Sequence, residues 1–150
     1  MLQGRFPKTD VQLYIKSHQH QLAVTTWASD FNALTGSITL FSGTVTQKPL
    51  PGATMFAAVG AATEASARIW GMELAPLRVN TVVPGIIATP VSPSLMGNDG
   101  AAQAQAGFAE ALPVGRIGTP EDVAHAVEFL IANSFVSGIS LVVDCGHRLI

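Results

Sequence analysis

The sequence predicts an α/β domain built on a partial parallel sheet of about three strands with flanking helices. Two observations predict it. Residues 36–43 (GSITLFSG) and 78–85 (RVNTVVPG) have the apolar pattern of strands, and a long Ala-rich segment between them has the composition of a helix. A strand, a crossover helix and a second strand form a parallel unit, and ligands of open parallel sheets bind beyond the carboxyl ends of the strands. We therefore expect the functional site near residues 41–43 and 83–89.

The other elements follow from helix and strand signals along the chain. One broad apolar side predicts a first helix, a proline ends the Ala-rich helix, and Thr-Pro-Glu-Asp at 119–122 is a typical helix start. The predicted elements are, in order, a helix from Thr9 or Asp10 to about Phe31, the strand Ser37–Phe41, a helix over 53–75, a strand over 78–83, a helix from Thr119 to about Ala132 and a strand over 139–143.

The composition limits the classes of function. Of 150 residues, 48% are hydrophobic and 12% charged, whereas about 25% charged is typical. The excess of apolar residues fits a sheet buried on both faces, a subunit interface, or both. A formal net charge of −2 gives no electrostatic case for binding nucleic acid. No apolar run approaches the roughly 20 residues of a membrane span, and the start of the sequence lacks the apolar core of a secretion signal.

Cysteine usage indicates a reducing compartment, and histidine usage gives no indication of a metal site. Cys145 is the single cysteine, so an internal disulfide is impossible, and a cytoplasmic location is expected. Cys145 is expected to be a small buried side chain rather than a nucleophile. His18 and His20 lie on the predicted first helix without a Cys/His cluster, so no metal site is expected, and exposure to solvent is the commoner role for such residues, with catalysis as the alternative. Lys48 is expected to be a solvated loop residue.

Residues 36–90 resemble the second half of a short-chain dehydrogenase/reductase. In that family a strand ends in Ser, Tyr-x-x-x-Lys opens the next helix, and a later strand ends in Pro-Gly with a Thr nearby. GRIGTPEDVAHAVEFL (115–130) and SGISLVVDCG (137–146) are similar to the family's last helix and last strand. The resemblance covers nearly the whole chain. It implies a Rossmann-like sheet, an oxidoreductase by lineage, and NAD or NADP as the family's cofactor.

The sequence departs from the family at the catalytic positions. Phe56 stands where the family has its Tyr, and Gly60 stands where it has its Lys. The family's Ser position falls on Gly43, with Ser42 beside it as the candidate catalytic residue. In the family the Tyr hydroxyl transfers the substrate proton, and the Lys charge lowers the pKa of that hydroxyl. Since neither Phe56 nor Gly60 can do this, we expect no hydride transfer by this chain alone.

The cofactor pattern is kept at one end only. Pro84, Gly85, Ile86 and Thr89 match the family positions that touch the nicotinamide end of the dinucleotide, although a Pro-Gly pair can also simply end a strand in a turn. The Gly-x-x-x-Gly-x-Gly turn that would hold the pyrophosphate occurs nowhere in the 150 residues. We therefore expect 1–150 to be a single truncated Rossmann-like domain that lacks the dinucleotide-binding half, and we expect neither NAD nor NADP to bind tightly.

Three functions stay open at this point. The chain is a short-chain dehydrogenase/reductase-like protein without hydride transfer of its own, a non-redox enzyme such as an isomerase or cyclase that uses the same crevice, or a non-catalytic dimerisation or partner module. The strand Ser37–Phe41 would lie at a sheet edge without a protective Lys, Glu or Pro, and the small-residue helix face from Ala57 to Gly71 invites a partner helix. We therefore expect a homo-oligomer that covers both surfaces.

Overall fold

The computed structural model describes residues 15–16, 21–22, 36–89 and 98–150. A parallel sheet carries the candidate site, and helices pack on it. The elements are β1 (Ile15–Lys16), β2 (Gln21–Leu22), β3 (Ser37–Phe41), α1 (Thr54–Glu73), β4 (Arg78–Pro84), α2 (Asn98–Ala111), α3 (Pro120–Ala132) and β5 (Ser140–Val143).

The predicted three-stranded parallel sheet is confirmed. β4 lies in the centre between β3 and β5, and both of its neighbours run parallel to it. Phe41 pairs with Val82, and Val143 pairs with Pro84, so the carboxyl ends of all three strands meet at one edge. The residues that follow the strands are thereby gathered where a parallel sheet builds its sites.

The predicted first helix is wrong where the structure describes it. β1 and β2 pair antiparallel, with Ile15 opposite Leu22 and Lys16 opposite Gln21. A spacing of seven residues places two apolar side chains on one side of a helix, but it is equally compatible with two paired strands. The β-branched Ile15, beside Tyr14, favours extended backbone. The rest of that prediction, including His18 and His20, lies outside the described residues.

The two faces of the sheet receive different helices. On one face Leu40 and Val79 form the core with Ala67 of α1, and the partly buried Ile38, Trp70 and Leu74 pack against it. Because side chains alternate along a strand, Asn80 and Val82 project to the opposite face, where α3 packs. Among the described residues, β3 and β5 are the edge strands. No helix in the described part of the chain combines the length and the apolar character needed to cross a membrane.

Arg78 anchors the C-terminal end of α3. Its Nη1 donates to the carbonyl oxygen of Leu130 at 2.6 Å and to that of Val136 at 3.2 Å, and its Nη2 donates to the carbonyl oxygen of Ile131 at 2.9 Å. The last carbonyls of a helix have no partner within the helix and carry its negative dipole end, so a guanidinium suits them. The buried Asn80 also donates to Val136 O at 3.0 Å. Together these bonds fix the connection that leads into β5.

The start of α3 is the capped end that the sequence predicts. The Thr119 hydroxyl accepts a hydrogen bond from the Asp122 N–H, and the Asp122 carboxylate accepts one from the Thr119 N–H. Arg116 pairs with Asp122 at 2.6 Å. The hydrogen bond from Arg116, followed by that from the Thr119 backbone, lowers the pKa of Asp122 well below its usual range. The α3 end nearest the candidate site is therefore held by a charged network.

Arg78→Met should destabilise the fold by roughly 2 kcal/mol, because the guanidinium forms charge-assisted hydrogen bonds to otherwise unpaired helix carbonyls. Urea unfolding followed by circular dichroism measures the change. Arg68→Met, which removes an exposed arginine of α1, is the matched control and should change stability little. Equal midpoints for the two variants would contradict this role for Arg78.

Candidate functional site

The candidate site lies beyond the carboxyl ends of β3, β4 and β5. Three segments meet there: residues 42–48 after β3, residues 85–89 after β4 and residues 144–150 after β5. Ser42 continues the ladder, with its N–H donating to Val82 O at 2.9 Å. The parallel register therefore places Ser42, the predicted catalytic residue, at the expected edge.

Ser42 belongs to a polar cluster with Thr46 and with Glu64 of α1. Its Oγ donates to Oε1 of Glu64 at 2.7 Å, and the Thr46 hydroxyl donates to the same oxygen at 2.8 Å. Glu64 is 9% exposed, so the two hydroxyls replace much of the water that a carboxylate needs. The residues Ser42, Thr46 and Glu64 are called the hydroxyl–carboxylate cluster below.

This cluster packs against α1 at Gly60. Gly60 and Glu64 are one helical turn apart on the buried side of α1, with Thr63 and Ala67. A Cβ built on Gly60 would lie 2.6 Å from Thr46 Cγ2 and 2.7 Å from Ser42 Oγ. Real Cβ atoms essentially never come so close. Any side chain at this position, a lysine included, would therefore require Ser42 or Thr46 to move.

Phe56 lies one turn before Gly60, close to the start of α1. Its side chain is 41% exposed, so the aromatic ring is at the surface of the site and not in the core. The ring carries no hydroxyl and has no proton to exchange at this position.

Two of the residues predicted to touch a nicotinamide, Gly85 and Ile86, form backbone hydrogen bonds within the chain. The Gly85 N–H donates to Val143 O at 2.9 Å, and Ile86 O accepts from the Gly118 N–H at 2.9 Å. A Cβ on Gly85 would lie 2.8 Å from both Cα and Cβ of Asp144. Pro84 and Thr89 are partly buried beside them. Glycine at 85 thus permits residue 144 to lie directly against the end of β4.

The segment after β5 reaches across to the loop after β3. The Thr44 hydroxyl and Nδ1 of His147 form a hydrogen bond of 3.3 Å, and the Lys48 ammonium donates to the backbone oxygen of His147 at 3.0 Å. Burial, followed by the charge of Lys48, lowers the pKa of His147, and Asp144 opposes this shift. His147 is accordingly favoured in its neutral form.

Two expectations for individual residues need correction. Lys48 is not simply solvated, because its ammonium is bonded to the backbone of His147. Cys145 is partly exposed and not fully buried, and it adopts a left-handed backbone conformation with φ of 53°. Both Cys145 and Gly146 lie in the tight turn after β5, and Gly146 also has a positive φ. Among residues 36–89 and 98–150, no three His, Cys, Asp or Glu side chains are grouped as metal ligands would be.

Sequence reasoning missed Glu64, Thr46 and His147. Glu64 could have been found, because it is an acid four residues after Gly60 on the face of α1 that must meet the sheet. Its partner Thr46 and the contact between Thr44 and His147 depend on how loops fold over the sheet edge. No spacing in the sequence indicates them.

Comparisons with known proteins agree with this architecture. A family model described as enoyl-(acyl carrier protein) reductase matches residues 15–148. A 2-(S)-hydroxypropyl-CoM dehydrogenase of Xanthobacter autotrophicus is 42% identical over 77 residues, which cover 49% of this chain and 30% of that protein. A 3-oxoacyl-(acyl-carrier-protein) reductase of Thermotoga maritima is 36% identical over 115 residues, covering 74% of this chain and 45% of that protein.

A solved structure has the same fold. It is the crystal structure of a small-chain dehydrogenase in complex with NADPH, with 37% identity and a TM-score of 0.74, and the match covers 77% of this chain and 52% of that one. The chain therefore spans about half the length, or less, of the relatives that it matches.

Gly60→Ala and Gly107→Ala should change stability in opposite directions. Both glycines lie inside helices, where alanine is favoured by about 1 kcal/mol. A Cβ at Gly107 would meet no described residue within 4 Å, so that variant should gain most of this amount. At Gly60 the added carbon must displace Ser42 or Thr46, so the variant should be less stable than the parent. Urea unfolding of both variants measures the difference, and a Gly60→Ala variant as stable as Gly107→Ala would refute the packing argument.

Proposed function

The chain belongs to the short-chain dehydrogenase/reductase family, and we propose that it is a member that carries out no hydride transfer of its own. The observation that supports this most directly is the packing at Gly60. Hydride transfer in the family needs a tyrosine hydroxyl whose pKa is lowered by a lysine. Here the tyrosine position is Phe56, and the lysine position is a glycine whose side-chain space is filled by Ser42 and Thr46.

Ser42 has a structural role in this proposal. Its hydroxyl proton is directed to Glu64, and its Oγ lies against the backbone of α1 at Gly60. A hydroxyl that donates into a buried carboxylate from this position is not aimed at a substrate in the crevice. The cluster serves to join the loop after β3 to α1.

A dinucleotide would find only part of its binding site in these residues. The solved relative binds NADPH. In this chain the Gly85 N–H is bonded to Val143 O, the Ile86 carbonyl oxygen is bonded to the Gly118 N–H, and Asp144 lies against Gly85. The Gly-rich turn that holds pyrophosphate is also absent from the 150 residues. We propose that these residues alone do not bind NAD or NADP tightly, and we assign no chemical step to the cofactor.

The role that the surface supports is that of a homo-oligomeric partner module. α1 exposes large apolar side chains: Met55 is 72% exposed, Ile69 is 48% exposed and Met72 is 70% exposed. The exposed Ala61 and Ala65 lie one turn apart on the same helix. The interior glycines do not contribute to this surface, because Gly60 faces the hydroxyl–carboxylate cluster and Gly71 packs against Ser137 and Gly138 of the same chain. The interface on α1 therefore depends on its exposed alanines and larger apolar residues.

Titration calorimetry of the 150-residue chain should give no dissociation constant below the millimolar range for NADPH or NADH. The double variant Phe56→Tyr with Gly60→Lys should show no cofactor-dependent turnover of ketones or alcohols. Circular dichroism first establishes that the double variant is folded, since lysine at position 60 disturbs the packing there, and Phe56→Tyr alone is the control that keeps Gly60. Binding in the micromolar range, or turnover by either variant, would overturn the proposal.

Ala61→Glu should dissociate the assembly, because it places a charge in the centre of the exposed face of α1. The matched control is Ala124→Glu, which adds the same charge to an exposed alanine of α3. Light scattering coupled to size-exclusion chromatography at micromolar concentration measures the mass. A parent chain that is already a folded monomer, or equal masses for the two variants, would contradict an interface on α1.

A further inference from the structure

The segment that follows the last strand crosses the carboxyl edge of the sheet. Asp144 lies against Gly85 at the end of β4, Gly146 packs near Pro113, and His147 reaches Thr44 beyond the end of β3. Residues 144–150, called the strap below, thus pass over the carboxyl ends of all three strands. Since ligands of parallel sheets bind beyond the carboxyl ends of the strands, a ligand at this edge would lie beside the strap.

Among the described residues, three polar contacts fasten the strap to the loop after β3. Lys48 Nζ donates to His147 O at 3.0 Å, the Thr44 hydroxyl is bonded to His147 Nδ1 at 3.3 Å, and Arg148 Nη1 donates to Gln47 Oε1 at 3.3 Å. All three bonds join residues about one hundred positions apart in the sequence. They therefore hold the strap against the loop after β3 and do not close a turn within the strap.

The strap keeps its own shape through Asp144. One carboxylate oxygen accepts from the Gly146 N–H at 3.0 Å, and the other accepts from the Arg148 N–H at 3.1 Å. Beyond His147, Leu149 is 77% exposed and Ile150 is 54% exposed, so apolar burial does little to hold this end. Residues 144–147 are partly buried, whereas residues 148–150 are exposed. A segment with its own internal bonds, polar fastenings and an exposed end is of the kind that separates locally without unfolding the sheet.

We propose that the strap is a cover over the carboxyl edge of the sheet, closed by the contacts of Lys48 and Thr44 with His147, and that breaking these contacts opens this edge to a ligand. This inference goes beyond the proposed loss of hydride transfer and does not depend on it, because a cover can serve a binding site as well as a catalytic one.

Acid should favour the open form. The charged and titratable groups around His147 are Lys48 from the loop and Asp144 and Arg148 from the strap. Since burial and Lys48 lower the pKa of His147, the closed form prefers the neutral ring. The open form, with an ordinary pKa of about 6.5, takes up a proton first. Closure is therefore fully favoured above about pH 6.5 and weakens as the pH falls below that value.

Hydrogen exchange on the 150-residue chain tests the cover directly. Lys48→Met should raise exchange about tenfold in both 44–48 and 144–150 and leave α1 and α3 as protected as in the parent. Gly85→Ala should have the same effect, because the added Cβ displaces Asp144. Arg68→Met, which removes a positive charge from the exposed side of α1, should change neither segment. Parent protection of 144–150, corrected for intrinsic rates, should fall below about pH 6.5 and should not do so in His147→Gln.

Cys145 supplies an independent readout, because it is the single cysteine of the sequence and lies within the strap. Its alkylation rate at fixed pH should rise in Lys48→Met and Gly85→Ala together with exchange. Unchanged exchange and alkylation in both variants would overturn the proposal. Faster exchange throughout the sheet would also overturn it, since the segment would then be an integral part of the fold and not a cover.

Discussion

The candidate site depends on one buried carboxylate. Glu64 projects from α1 toward the sheet edge and accepts hydrogen bonds from two hydroxyls of the loop after β3, Ser42 and Thr46. A buried carboxylate left without donors would cost several kcal/mol, so the loop is held where its hydroxyls are needed. Gly60 is the consequence, because only a residue without a side chain leaves room for the Ser42 hydroxyl and the Thr46 methyl group where they stand.

The parallel sheet decides which segments meet. Register places the ends of β3, β4 and β5 side by side, and Arg78 and Asn80 hold the connection that aligns β5. The loop after β3 and the strap after β5 are separated by β4, yet they touch because Gly85 lets the strap cross at close range. The site is thus enclosed by backbone and short polar side chains.

Much of the fold could be predicted from the sequence, and less of the site. β3, α1, β4, α3 and β5 lie close to their predicted positions, because apolar strands, the Pro76 break and the Thr119 cap are local signals. The prediction of the first helix was wrong at Ile15 and Leu22, because their spacing is compatible both with a helix and with two paired strands. The pairing of Ser42 with Glu64 and that of Thr44 with His147 join residues far apart in sequence. Such contacts follow from tertiary packing and leave no periodic pattern.

The packing at Gly60 also has a consequence for how this sequence could change over time. Lysine at that position is incompatible with the present arrangement of Ser42 and Thr46, and either hydroxyl, if removed alone, leaves Glu64 with one donor fewer. Substitutions at these four positions are therefore strongly non-additive, because each is tolerated only in the company of others. Phe56→Tyr with Gly60→Lys therefore requires Ser42 or Thr46 to move or to be replaced, and Glu64 then needs another donor.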